Sequence, residues 1–202
     1  MRVLTIDTAT SASSVGLVDG VELAAETVAE PHAAQHVLAA VVRVLAEAGA
    51  DLASVQRVAI GRGPGSFTGL RIGIATGLGI ADGCGAEVAA APTLSALRHE
   101  AGERSVAVVD ARRGEVFAEG PGVPLAAYAP GSLRALLAAD ALLVGDGAIR
   151  HRADLGDLAS IPADDSPLHV PRPRAIAAVA AAGGVEPLYV RDPDAVPTAE
   201  RT

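Results

Sequence analysis

The chain opens twice in the same way. Val3-Leu4-Thr5-Ile6-Asp7 is an apolar run closed by an acid, followed by a Thr/Ser-rich turn and Ser14-Val15-Gly16-Leu17-Val18. Ser105-Val106-Ala107-Val108-Val109-Asp110 repeats the plan, with a charged turn and Glu115-Val116-Phe117-Ala118. Short apolar runs rich in β-branched residues read as buried strands, and two runs joined by a turn read as a hairpin. Two such openings divide the chain into related halves, with Asp7 and Asp110 at matching places. The expected division is an N-terminal subdomain over 1–103, a C-terminal one over 104–191, and a frayed tail over 192–202 that carries Pro193 and Pro197.

Between these openings strands alternate with helices, the pattern of an α/β fold. Asp19-Gly20 marks a hairpin turn, and Val21 to Val28 returns as a strand. Residues 33–48 read as a helix whose wide apolar face holds Val37, Leu38, Val41, Val42, Val44 and Leu45, with Gly49 as its stop. A strand at 57–61, a helix over 69–81 and a strand near 87–90 follow, and Thr93 is expected to cap a helix ended by Gly102. The second half is poorer. It reads as a helix over 132–139, a strand at 141–144, a turn at Gly145-Asp146-Gly147 and a Pro-rich run from 162 to 173. A helix over 174–182, able to join the first subdomain, and a strand at Pro187-Leu188-Tyr189-Val190 close it.

Hydrophobic residues make up 50% of the chain but aromatics only 2%, so the core must be built from Ala, Val, Leu and Ile. All 16 basic residues are Arg, the net charge is −8, and there are two Phe, two Tyr and no Trp. Phosphate contacts need clustered cations and single strands need stacking rings, so direct nucleic-acid binding is disfavoured. Cys84 is alone, which excludes an intramolecular disulfide and fits a reducing cytosol. No apolar run is long enough to span a bilayer, and no signal segment leads the chain.

The loop Arg62-Gly63-Pro64-Gly65-Ser66-Phe67-Thr68-Gly69-Leu70-Arg71 joins a strand to a helix. Pro64-Gly65 is a turn pair in which Gly65 is expected to take the positive φ, and Ser66 or Thr68 can cap the helix. Such a loop is either an anion seat or a tight structural turn. It is not a P-loop, since the chain has no Lys, and not a nucleophile elbow, since Pro64 and Thr68 stand where Gly is needed. Gly69, Gly73 and Gly77 recur on one helix face, a costly arrangement that suits a close backbone approach, either to the chain's own sheet or to a partner. His32 and His36, four residues apart, could share a helix face as metal ligands do. No third ligand accompanies them, and a helix-start or interface role is the alternative.

The loop resembles the GPGSFTG signature of the TsaB (YeaZ) family. Further segments fit in order: Ile6-Asp7-Thr8-Ala9-Thr10, Asp110-Ala111-Arg112-Arg113-Gly114-Glu115-Val116, Val144-Gly145-Asp146-Gly147-Ala148 and Pro187-Leu188-Tyr189-Val190-Arg191. The resemblance implies an actin/Hsp70/sugar-kinase-like (ASKHA) fold of two related subdomains, the second reduced. It also implies a cytoplasmic, non-catalytic subunit that supports the paralogue TsaD in threonylcarbamoyl modification of tRNA. It implies no resident cofactor, leaving residual nucleotide binding shared with the partner as the open alternative, and no membrane, a TsaE-type ATPase in a larger assembly, a homodimer when alone, and only indirect contact with tRNA. The implied pairing surface is Val37, Leu38, Val41, Val42, Leu45, Gly69, Gly73 and Gly77. A vestigial phosphate site would comprise Asp7, Thr8, Gly63, Gly65, Ser66, Thr68 and Asp110. The family's catalytic relatives carry a metal-binding His pair after the Gly-loop helix, where this chain reads Pro92-Thr93-Leu94-Ser95-Ala96-Leu97. Ala9 also stands where active members of the superfamily place Gly. The rival expectation is a stand-alone metalloprotease-like or kinase-like enzyme of the same fold.

Overall fold

The structure is a computed structural model that describes residues 1–29, 36–156 and 159–191. His32 and the tail at 192–202 lie outside the described residues.

β1 (Arg2–Asp7), β2 (Ser13–Asp19) and β3 (Glu22–Ala29) form an antiparallel meander, and α1 (Val37–Glu47) leads to β4 (Arg57–Gly61), parallel to β1. α2 (Phe67–Cys84), β5 (Glu87–Ala91) and α3 (Thr93–Ala101) complete the first half. The second half repeats the order with β6 (Ser105–Arg112), β7 (Glu115–Gly120), β8 (Val123–Tyr128), α4 (Pro130–Arg134) and β9 (Leu142–Val144). Short helices α5 (Asp146–Arg150) and α6 (Arg152–Leu155) follow, then α7 (Pro173–Val179) and β10 (Ala181–Ala182). The sheets run β10-β5-β4-β1-β2-β3 and β8-β7-β6-β9. In each, the opening hairpin's first strand is flanked on its other side by the strand that arrives after a helix. This shared order makes the molecule an actin-like α/β fold of two related halves, the second smaller.

β1 reads as a near-continuous apolar run because both faces of its sheet are covered. Leu4 and Ile6 point to the side of α1 and α2, while Val3 packs with Ala175 and Ile176 of α7. α1 presents Val37, Ala40, Val41, Val44 and Leu45 to this core, a 3.6-residue stripe, and Gly49 follows it at φ 58°. α3 joins the halves: Leu94 and Leu97 pack on Ala107, Val109 and Val144, while Ala96 meets Ala175 and Ile176.

Several expectations change in detail. The helix expected over 69–81 runs from Phe67 to Cys84, because Ser66 caps it through Gly69 N–H at 3.2 Å and Gly85 ends it at φ 69°. The positive φ in the loop belongs to Gly63 (91°) and not Gly65. Thr93 is no cap: Pro92 holds that position, and the Thr93 hydroxyl is engaged with Asp7. The helix expected over 132–139 is only α4, after which Leu136 and Leu137 N–H groups bond three residues back to Leu133 and Arg134 carbonyls. Gly145-Asp146-Gly147 starts α5 rather than forming a free turn, and the helix expected over 174–182 is α7 with β10 after it. Pro187–Val190 joins no sheet; Leu188 N–H bonds only the Arg62 carbonyl at 2.8 Å.

The Gly stripe faces inward. A Cβ at Gly69 would lie 2.1 Å from the Thr8 carbonyl oxygen, at Gly73 2.2 Å from Thr8 Oγ1, and at Gly77 2.6 Å from Ile60 Cδ1. Gly79, on the exposed side, meets nothing within 4 Å. Gly69→Ala is therefore expected to destabilise the chain by about 1–3 kcal/mol through overpacking. Gly79→Ala should stabilise it by up to about 1 kcal/mol through helix propensity. Urea unfolding of the two variants checks this opposition in sign.

Candidate functional site

Asp7 ends β1 and is buried. Its Oδ1 accepts Ala9 N–H at 2.8 Å, and its Oδ2 accepts the Thr93 hydroxyl at 2.7 Å. Thr93 Oγ1 in turn accepts Gly63 N–H at 3.2 Å. Thr8 Oγ1 donates to the Gly69 carbonyl at 2.7 Å, and Ser66 N–H donates to the Ala9 carbonyl at 2.7 Å. The Gly loop is thus fastened to the first turn, and the N–H groups of Gly63, Ser66 and Gly69 donate within the chain rather than toward an anion. Thr68 is exposed beside them, and Gly65 comes so close to the first turn that a Cβ would lie 2.1 Å from the Ala9 carbonyl oxygen.

Asp110 holds the matching turn of the second half. Its Oδ1 accepts Arg112 N–H at 2.9 Å, and its Oδ2 lies 3.2 Å from Arg112 Nη1 and 3.4 Å from Arg150 Nη1. Arg112 and Arg113 both take positive φ in this turn.

A third carboxylate ties the two turns together. Asp146, at the start of α5, accepts Ser11 N–H on Oδ2 at 2.7 Å and Asp110 N–H on Oδ1 at 3.1 Å. One amide comes from each half. Sequence reading gave Asp146 only as a turn residue; its cue was an Asp between two Gly residues directly after a strand. Burial pushes the Asp7 carboxyl up from its ordinary 3.8 to about 6; the Ala9 and Thr93 hydrogen bonds oppose this, and the Asp146 charge adds to it.

The implied pairing residues separate into two groups. Val37, Val41 and Leu45 lie in the chain's own core, and Gly69, Gly73 and Gly77 pack on its first turn and on β4, so none of these six is open to a partner. Leu38 and Val42 remain exposed, at 60% and 63%. They stand one helical turn apart, off the buried stripe. His36 is exposed at the start of α1, and among the described residues no three His, Cys, Asp or Glu side chains are grouped as a metal site requires.

The fold and these turns define an actin-like α/β protein whose two opening turns are bridged by the Asp146 carboxylate. A family model described as tRNA N6-adenosine threonylcarbamoyltransferase (TsaD) matches residues 25–122. The Escherichia coli tRNA threonylcarbamoyladenosine biosynthesis protein TsaB is 41% identical over 58% of this chain and 53% of its own length. An uncharacterised Mycobacterium tuberculosis protein is 33% identical over 98% of this chain and 95% of its own length. The solved structure of YeaZ from Pseudomonas aeruginosa superposes with a TM-score of 0.69 at 28% identity, covering 88% of this chain and 89% of that one. The chain belongs to the TsaB (YeaZ) family. It spans about half the length of the curated TsaB relatives it matches. No helix among the described residues is long and apolar enough to cross a membrane.

The raised Asp7 value has a pH consequence with a definite sign. The folded protein keeps the Asp7 proton where the unfolded chain releases it. The resulting stability is fully present below about pH 4 and is lost as pH rises through about 6. Asp7→Asn removes that loss. Its stability relative to wild type should therefore rise between about pH 4 and 7, by at most about 3 kcal/mol for a shift of about two units. Urea unfolding across this range measures it, and a pH-independent difference would refute the assignment.

Proposed function

We propose that this chain serves tRNA threonylcarbamoyladenosine biosynthesis as a non-catalytic partner of a TsaD-type subunit. The observation that carries the non-catalytic part is the Asp146 bridge. Its carboxylate holds one backbone N–H from each turn, the donors that a phosphate between the halves would need. Such a phosphate would have to displace Asp146 and also approach Asp110, against like-charge repulsion. The names of the TsaB relatives supply the pathway, and the TsaD description of the matching family model supports a paralogous partner.

The partner surface in this reading is the outer side of α1, centred on the exposed Leu38 and Val42. Burying such a face contributes roughly 25 cal/mol per Å2 of apolar area removed from water, before association costs. The same side would support a homodimer when the partner is absent. A TsaE-type ATPase joins the larger cytoplasmic assembly, and tRNA is reached through the partner. The chain itself hydrolyses no ATP and needs no resident metal or cofactor.

The test is a pair of contrasting substitutions. Leu38→Arg with Val42→Arg should leave the melting temperature near wild type, because both side chains are exposed. It should abolish self-association in sedimentation and co-purification with the TsaD-type subunit together. Val41→Arg puts a charge in the core and should unfold the chain or lower its stability by several kcal/mol, on the order of 3–5. A folded double variant that still binds the partner normally would move the pairing surface elsewhere.

A second expectation follows from charge. With a net charge of −8, the chain alone should bind tRNA only weakly, with a dissociation constant above about 1 μM at physiological salt. Filter binding or fluorescence anisotropy without the partner measures it.

A further inference from the structure

Two clefts with no lining residue in common lie between the halves. One, of about 790 Å3, opens between the start of α2 and the segment of Ala111, Arg112 and Phe117. The other, of about 360 Å3, has Ser11, Ala12 and Val28 on one side and Asp146 and Ile149 of α5 on the other. α3 is the packed joint: Leu94 and Leu97 bear on Ala107, Val109 and Val144 of the second half, while Ala96 bears on Ala175 and Ile176 of α7. The chain crosses beside it. Gly102, at φ 91°, separates α3 from β6, and Pro171 precedes α7. A packed joint with open space on more than one side leaves two bodies room to pivot.

Each cleft is spanned by a tie. At the smaller one, Asp146 Oδ2 accepts Ser11 N–H from the first half at 2.7 Å. Asp146 cannot follow Ser11 outward, because α5 is seated hard on β6: a Cβ at Gly147 would lie 2.8 Å from the Val109 carbonyl carbon. At the larger one runs the segment Leu188–Arg191, which belongs to neither sheet. Leu188 N–H holds the Arg62 carbonyl at 2.8 Å, and the Tyr189 ring lies 5.8 Å from Phe67, both in the first half. Two residues on, the Arg191 guanidinium pairs with Glu115 of β7 and lies 5.9 Å from the Phe117 ring centre, both in the second half. The segment is a strap from one half to the other.

We propose that these two ties are a lock that holds the halves at one fixed opening, so that the chain meets a partner as a preset body. The charge-assisted bond to Ser11 is the stronger tie, and the half-exposed Arg191–Glu115 pair is weak by itself. Both restrain the same two bodies, so cutting one loosens the other. A surface that is already set loses less freedom on association than one that must be ordered. The lock goes beyond the partner role and does not depend on the pairing surface, since Leu38 and Val42 belong to neither tie.

The coupling between the ties is the test. Arg191→Ala and Glu115→Ala, both at partly exposed positions, should keep the melting temperature near wild type. Each should nevertheless speed exchange of the Ser11 amide, at the other cleft, by about threefold or more in NMR exchange measurements. A merely local role of the Arg191–Glu115 pair leaves that amide unchanged, and an unchanged rate overturns the proposal without any change to Asp146. Spin labels at Gly79→Cys on α2 and Ser132→Cys on α4, in a Cys84→Ser background, report the opening directly. One narrow distance distribution is expected, and Asp146→Ala with Arg191→Ala should broaden it or add a second distance. A broad distribution before either tie is cut overturns the lock, as does an unchanged one in the folded double variant. The Leu38→Arg, Val42→Arg variant should keep the narrow distribution, which separates failure of the lock from failure of the pairing surface.

Discussion

The close seating of α2 on the first turn is the contact that orders the rest of this molecule. Gly65 and Gly69 bring the loop and helix so near that any Cβ would overlap the Ala9 and Thr8 carbonyls. With that space empty, Ser66 N–H reaches the Ala9 carbonyl and the Thr8 hydroxyl reaches the Gly69 carbonyl. Hydrogen bonds of this kind are worth only about 1 kcal/mol each when made, but an unmade one in a buried place costs more. The glycines therefore act less by adding contacts than by allowing polar groups of two elements to satisfy each other. α2 then lies flat on β4 and β1, and its far side meets the core that α1 completes.

The second dependence is electrostatic. Three carboxylates, Asp7, Asp110 and Asp146, stand at the junction of the halves. Buried or half-buried acids persist only where N–H and O–H donors replace lost water. Asp110 gets Arg112 and Arg150, and Asp146 gets one amide from each turn. Asp7 has the Ala9 amide and the Thr93 hydroxyl, but it is fully buried, and burial outweighs both and pushes its carboxyl up to about 6. The surroundings of Asp7 favour its neutral form.

Much of this was legible in the sequence where a signal is local and periodic. The repeated strand–Asp–turn–strand openings, the apolar stripe of α1 with Gly49 after it, and the Ser66 cap all follow from residues within a turn or two of each other. What was not legible depends on distant partners. Thr93 looks like a cap because Thr often is one, yet its hydroxyl answers Asp7, 86 residues away. The glycine stripe shows that some backbone comes close, and periodicity alone cannot say whether that backbone is the chain's own. Pro187–Val190 has strand composition but pairs with no strand, and Leu188 N–H bonds the Arg62 carbonyl instead. Asp146 was hidden for the same reason: its two donors, Ser11 and Asp110, lie in other parts of the chain.

The face of α1 carries a last piece of logic. A helix that packs on one sheet needs a single apolar stripe, and Val37, Ala40, Val41, Val44 and Leu45 supply it in full. Leu38 and Val42 add a second stripe that the fold does not use. Scattered exposed aliphatics are ordinary on protein surfaces, but two of them one turn apart on the same helix form a patch. On a chain so poor in aromatics, aliphatic stripes are the main apolar surface available for any contact. The sequence saw one wide face where the structure has two narrow ones, the first consumed by the core and the second turned outward. That division is what separates a residue whose replacement by Arg breaks the fold from its neighbour, one position along, whose replacement leaves the fold intact.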